Sequence, residues 1–184
     1  ACGALLGDRV TGVVCLASLA PYAGDGDWFA GMADPGGLCA ALDGREARAR
    51  YAETEEFDEA SFVSRDWAAL AGPWASLGAD VGRSARFGPD GLVDDDVAFV
   101  TPWGVAVEQI EAPVLVVQGG QDRVVPPAHA DRLLRLAREP ELWLRPHGGH
   151  VSVLDACPVA LDWLLANWQP PQSPAPVDVP AGGR

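Results

Sequence analysis

The chain has 184 residues, a net charge of −13 and a sequence pI near 4.4; at about 100–200 residues per domain it makes one domain. Its 48% hydrophobic and 21% charged residues exclude a disordered chain; no apolar run reaches the roughly 20 residues of a membrane span, and none follows a basic stretch as in a secretion signal. All 13 basic residues are arginine, which removes any phosphate-loop, kinase-strand or Schiff-base lysine, and the acidic balance argues against a nucleic-acid partner.

In chain order, residues 1–6 read as the last turns of a helix, stopped by Gly7 and Asp8. Residues 10–17 form an apolar run rich in β-branched side chains and without alternation, the pattern of a strand buried on both faces. From 21 to about 91 the character changes to irregularly spaced aromatics among alanines and acids, which reads as four or five short helices. Asp25 is placed to cap one through Trp28, Phe29 and Met32, and Asp58 one through Phe62, Arg65 and Trp67. Asp94, Asp95 and Asp96 are expected to open a further helix, where carboxylates suit the positive end of the dipole. Arg45, Arg48 and Arg50 form the one dense basic patch, diluted by neighbouring glutamates. Cys2, Cys15, Cys39 and Cys157 show no C-x-x-C spacing and read as small buried hydrophobes in a reducing compartment, the cytoplasm.

The last third is more regular. Residues 114–118 are a second buried-strand pattern, broken by Gly119 and Gly120. Pro127 opens a helix whose apolar residues recur at three- and four-residue steps, with His129 on its solvated side. Residues 142–144 are a third strand. Residues 152–168 read as a final amphipathic helix with Val153, Leu154, Cys157, Ala160, Leu161, Leu164, Leu165 and Trp168 on its buried side. Residues 169–184, with five prolines, read as a disordered tail. Strand and helix alternation with short loops predicts parallel strands with right-handed crossovers, and functional groups then sit beyond the strands' carboxyl ends.

Two loops occupy that position, and each carries one reactive group. Asp122 follows the second strand and His150 the third. Adjacent parallel strands lie about 4.8 Å apart, so the two side chains can meet. A carboxylate bonded to one imidazole nitrogen fixes the tautomer and leaves the other nitrogen as a base. Glycines ahead of each residue are expected to provide sharp backbone turns.

These residues resemble the C-terminal half of the α/β-hydrolase family. The run from Pro113 to Pro126, with Gly-Gly-Gln-Asp-Arg-Val-Val-Pro after the strand, is similar to the family's acid-bearing loop, and Gly148-Gly149-His150 before a terminal helix to its histidine loop. The resemblance implies a partial α/β-hydrolase fold: three parallel strands with flanking helices, a core of 1–20 and 97–168, and a helical cap inserted at 21–96. It implies Asp122 as triad acid and His150 as triad base, with Val124 and Val151 facing the acyl pocket. Trp28, Phe29, Met32 and Trp103 are candidates for lining it, and a small apolar acyl substrate is implied. The family's nucleophile sits in G-x-S-x-G, which this sequence lacks; Ser18, Ser61, Ser64, Ser76 and Ser84 have no flanking glycines of that kind, and Ser152 reads as a helix cap. The chain begins at Ala1 and its one methionine is Met32, so it reads as a piece that starts just after the nucleophile, inactive by itself.

Other chemistries fit less well. His147 and His150 are separated by two glycines, which does not give the same-face helical spacing of a zinc pair. Gly119-Gly120 is not a dinucleotide loop, and the aspartate run lacks the alternating ligands of a calcium loop. No cofactor or metal is expected. The alternative function is a non-catalytic binding or interaction module on the same fold.

Overall fold

The computed structural model describes residues 1–168; the expected proline-rich tail at 169–184 lies outside the described residues. The central strand β2 (Val114–Gly119) has all six residues buried. Its neighbours are β1 (Val13–Leu16) and β3 (Pro140–Arg145), in the order β1-β2-β3, with both pairings parallel. Val13 lies opposite Val114, and Gly119 opposite Arg145.

Alternation along β2 divides its side chains between two layers. Val114 and Val116 pack with Val107, Ile110, Ala130 and Leu133, the last two from α7 (Pro127–Leu136). Leu115 and Val117 pack with Val153, Ala156 and Ala160, which lead into and belong to α8 (Cys157–Ala166). Helices on both faces explain why β2 reads as an unbroken apolar run.

The described segment between β1 and β2 holds short helices joined by loops and no strand, as expected. Short α1 (Cys2–Leu5) precedes β1; after it come α2 (Gly36–Ala41), α3 (Arg45–Ala52), α4 (Ser64–Leu70), α5 (Ala75–Ser84) and α6 (Asp90–Val100). Trp28, Ala41 and Val100 form a core of their own with Tyr22, Phe29, Met32 and Leu38 against it. Arg48 on α3 is wholly buried and pairs with Asp96 on α6 (2.6 Å) and Glu55 (2.8 Å). Arg45 pairs with Asp90 and Asp94. Two of the three arginines of the expected basic patch are therefore paired with acids, and one of them, Arg48, lies inside the protein.

Several local expectations are corrected. β1 is shorter than 10–17. Asp25 stands at the N-cap of a 3-10 turn (Gly26–Phe29) and not of a longer helix through Met32, and its side chain makes no cap bond; its carboxylate takes a two-pronged bond from Arg132 at 2.9 and 3.1 Å, which holds its carboxyl below the ordinary range. Asp58 caps a single 3-10 turn (Glu59–Ser61), and the helix bearing Arg65 and Trp67 starts separately. Asp94 to Asp96 lie in the body of α6, which begins at Asp90 after a left-handed Gly88. The final helix is a 3-10 turn (Ser152–Ala156) followed by α8, and Leu161, Leu165 and Trp168 are exposed. His129 is buried, not solvated: its Nδ1 accepts from the Ala20 N–H at 3.2 Å and its ring stands edge-on to Trp28. All four cysteines are free thiols, but Cys2 and Cys39 are exposed. No helix among the described residues is long and apolar enough to cross a membrane.

Candidate active site

The two loops beyond β2 and β3 are locked together through glycine backbone. A Cβ on Gly119 would lie 2.5 Å from the Gly149 oxygen and 2.7 Å from that of Gly148, so only a residue without one permits this approach. Neither Gly119 nor Gly149 has the left-handed conformation that favours glycine. The expectation for these two glycines is therefore corrected: Gly119 permits the close approach of two main chains, and Gly149 the close approach of the Asp66 and Val63 side chains. Gly120 N–H donates to the Arg145 oxygen (2.9 Å) and Gln121 N–H to the Gly148 oxygen (2.8 Å), which joins the loops directly.

That joint brings Asp122 and His150 together. His150 Nδ1 lies 3.0 Å from Asp122 Oδ2. The Asp122 side chain is fully buried, and its Oδ1 accepts from the Val124 and Val125 N–H groups at 2.9 and 2.8 Å. Three acceptor contacts compensate the buried carboxylate and restrict its rotation. A carboxylate on Nδ1 is best served by a hydrogen on that nitrogen, which leaves Nε2 with its lone pair. His150 remains about one-third exposed, so this ring can exchange protons with a reactant.

The remaining predicted residues lie in different surroundings. Val151 is buried beside His150, and Val124 is half-buried beside Asp122. Trp28 is 1% exposed and taken up by packing against Tyr22, Phe29 and His129, with its Nε1–H donating to the Ala20 oxygen (2.9 Å). Phe29 and Met32 pack beside it. Trp103 lies elsewhere, on an apolar cavity of about 460 Å³ shared with α1, Cys15, Ser18 and Leu133. A wider cavity of about 610 Å³ is lined by Arg65, Arg145, His147, Ser152 and Asp155. Neither cavity is lined by Asp122 or His150, so they are weaker guides to the chemistry than the bonded pair.

No serine hydroxyl among the described residues bonds His150. Ser18 donates to the Leu16 oxygen (3.2 Å), and Ser152 Oγ donates to Asp66 (2.8 Å) while accepting from Gly149 N–H (2.8 Å). Ser152 thus ties its loop in place without the helix cap expected of it; the cap comes from another element. Asp66 on α4, fully buried, accepts from the N–H groups of Val151 (3.0 Å) and Ser152 (2.8 Å), which start the 3-10 turn. Sequence reasoning missed Asp66. Its partners are 84 to 86 residues away, and nothing local distinguishes it from other acidic residues.

No protein-family model matches the sequence, and no curated protein matches it. Solved structures do. BpoC of Mycobacterium tuberculosis H37Rv, described as a putative non-heme bromoperoxidase, shares 15% identity at a TM-score of 0.46, covering 89% of this chain and 59% of that one. Rv0554 of Mycobacterium tuberculosis shares 16% at 0.49, covering 91% and 60%. MGS-M2, an alpha/beta hydrolase enzyme from a Medee basin deep-sea metagenome library, shares 14% at 0.40, covering 88% and 58%. The chain spans about 60% of the length of the solved structures it resembles.

Proposed function

We propose that this chain supplies the acid and the base of a serine hydrolase of the α/β-hydrolase family, with the serine contributed by sequence outside these 184 residues. The observation that carries the reading is the 3.0 Å contact between His150 Nδ1 and the buried, doubly anchored Asp122 carboxylate, at the carboxyl ends of adjacent parallel strands.

In this reading Asp122 holds the hydrogen on Nδ1. His150 Nε2 withdraws the serine proton as the oxygen attacks an ester or related acyl carbon. The imidazolium so formed is stabilised by Asp122, and it returns the proton to the leaving group. Water repeats the sequence to release the acid. The helical segment acts as a cap, Val124 and Val151 flank the reacting groups, and the substrate is a small apolar acyl compound.

The test is ester hydrolysis by this chain joined to the polypeptide encoded immediately upstream. His150→Ala is expected to lower kcat/KM by at least about three orders of magnitude, the scale of losing a triad base. A loss below about tenfold places the base elsewhere. Absence of both hydrolysis and an upstream G-x-S-x-G favours a non-catalytic module.

A further inference from the structure

The helical segment reaches the histidine loop through one carboxylate, and this bears on how the base is held. Asp66 Oδ2 accepts from Val63 N–H (3.1 Å), just ahead of its own helix, and from His150 N–H (3.2 Å). Its Oδ1 accepts from Val151 N–H, Ser152 N–H and Ser152 Oγ–H at 3.0, 2.8 and 2.8 Å. Four of the five donors therefore belong to the histidine loop, three of them consecutive backbone N–H groups. Such a row of N–H groups at the start of a helical turn favours an anion, and here a side chain from a distant helix supplies it. Among the described residues no cation lies among the partners of Asp66, so the loop N–H groups are what compensate its burial.

The same segment also holds the acid loop. Arg123 Nη1 donates to the Ala60 oxygen (3.3 Å), and Ala33 N–H donates to the Arg123 oxygen (2.8 Å). The Asp66 tie is the more demanding of the two. Its carboxylate touches the backbone of the base itself and fits against Gly149 so closely that a Cβ there would lie 2.6 Å from Asp66 Cγ.

Resting on the reading of Asp122 and His150 as the acid–base pair, we infer that Asp66 is a positioning residue. It fixes the main chain of His150, and it makes the alignment of the imidazole on Asp122 conditional on α4 being seated. Withdrawal of α4 removes the anion from three N–H groups, frees the loop and separates Nδ1 from Oδ2. The helical segment thereby governs the base as well as covering it.

The experiment is low-field proton NMR of the His150 Nδ1–H in the 184-residue chain, with its exchange against water as readout. The resonance is expected in the unmodified chain and lost in Asp122→Asn. Asp66→Asn, which sets an NH2 group against loop donors, is expected to speed exchange at least about tenfold, the scale of a lost hydrogen bond to a charged group. Asp58→Ala removes the cap bond to Ala60 N–H in the same segment without touching the loop and is expected to leave the rate unchanged; an equal acceleration there assigns the effect to general loosening and overturns the inference. A resonance that survives Asp122→Asn defeats the acid–base reading itself. One that is lost in Asp122→Asn yet exchanges normally in Asp66→Asn overturns only the role of Asp66. If Asp66→Asn does not fold, Ser152→Ala decides: exchange about fivefold faster supports the inference, and an unchanged rate overturns it.

Discussion

Adjacent glycines of the histidine loop face very different surroundings, which makes a paired substitution informative. A Cβ on Gly149 would lie 2.6 Å from both Asp66 Cγ and Val63 Cγ2, far inside carbon contact distance. One on Gly148 would meet Arg145 Cβ at 3.2 Å and its oxygen at 3.3 Å, which a few tenths of an ångström relieve. Neither glycine is left-handed, so each alanine gains the same unfolded-state benefit of about 0.4–1 kcal/mol and the difference isolates packing. Overfilling a packed site costs about 1–3 kcal/mol, and disturbing a bond to the Asp66 carboxylate costs about 1.5–3 kcal/mol more. Gly149→Ala is thus expected to destabilise by about 3 kcal/mol, a fall in Tm of about 6–12 °C for a chain of this size. Gly148→Ala is expected to stay within about 1 kcal/mol of the unmodified chain. Urea titration and calorimetry of both variants measure this. Equal losses, or a Gly149→Ala loss below about 1 kcal/mol, refute the tight fit between α4 and the histidine loop.

Two further outcomes follow from buried charge. Arg48→Ala leaves Asp96, whose carboxyl burial already pushes upward, without its cation; a loss of about 3–5 kcal/mol is expected, measured by urea midpoint, and one below about 1 kcal/mol means the ion pair does not hold α3 on α6. Burial holds the His129 imidazole below its ordinary value of 6.5. Above that value both the folded and unfolded chains are neutral at this site and stability is complete; as pH falls below it, the unfolded chain binds a proton that the folded one refuses. Stability should therefore fall between pH 7 and 5 with a slope of up to about 1.4 kcal/mol per pH unit from this group. His129→Asn keeps an acceptor for Ala20 N–H and should flatten that slope; identical slopes remove His129 from the account.

The frame was legible because its signals are local. The buried-strand pattern at 114–118, apolar from Val114 to Val117, predicts a strand covered on both faces, and β2 is one. The apolar stripe after Pro127 predicts α7. Asp122 and His150 are nominated by their place after strands, and the structure sets them 3.0 Å apart. What was not legible depends on distant partners. His129 sits in a stretch that looks solvated, but its acceptor nitrogen meets Ala20, 109 residues away. Asp66 looks like any surface acid until the histidine loop arrives. Gly119 and Gly149 look like turn residues because sequence shows the absence of a side chain and not the neighbour that forbids one. Leu161, Leu165 and Trp168 lie exposed on α8 because helical periodicity shows apolar positions without showing what covers them.

The burial of β2 limits where this molecule can vary. A strand flanked by parallel neighbours and covered on both faces has no residue free to change character without cost to packing, whereas Gln121 and Arg123, just past its end, are exposed. Asp122 lies between them and is fixed by its own main-chain neighbours. Substitution of the exposed Gln121 can therefore change the surroundings of the candidate site while the main-chain bonds that fix the Asp122 carboxylate stay as they are.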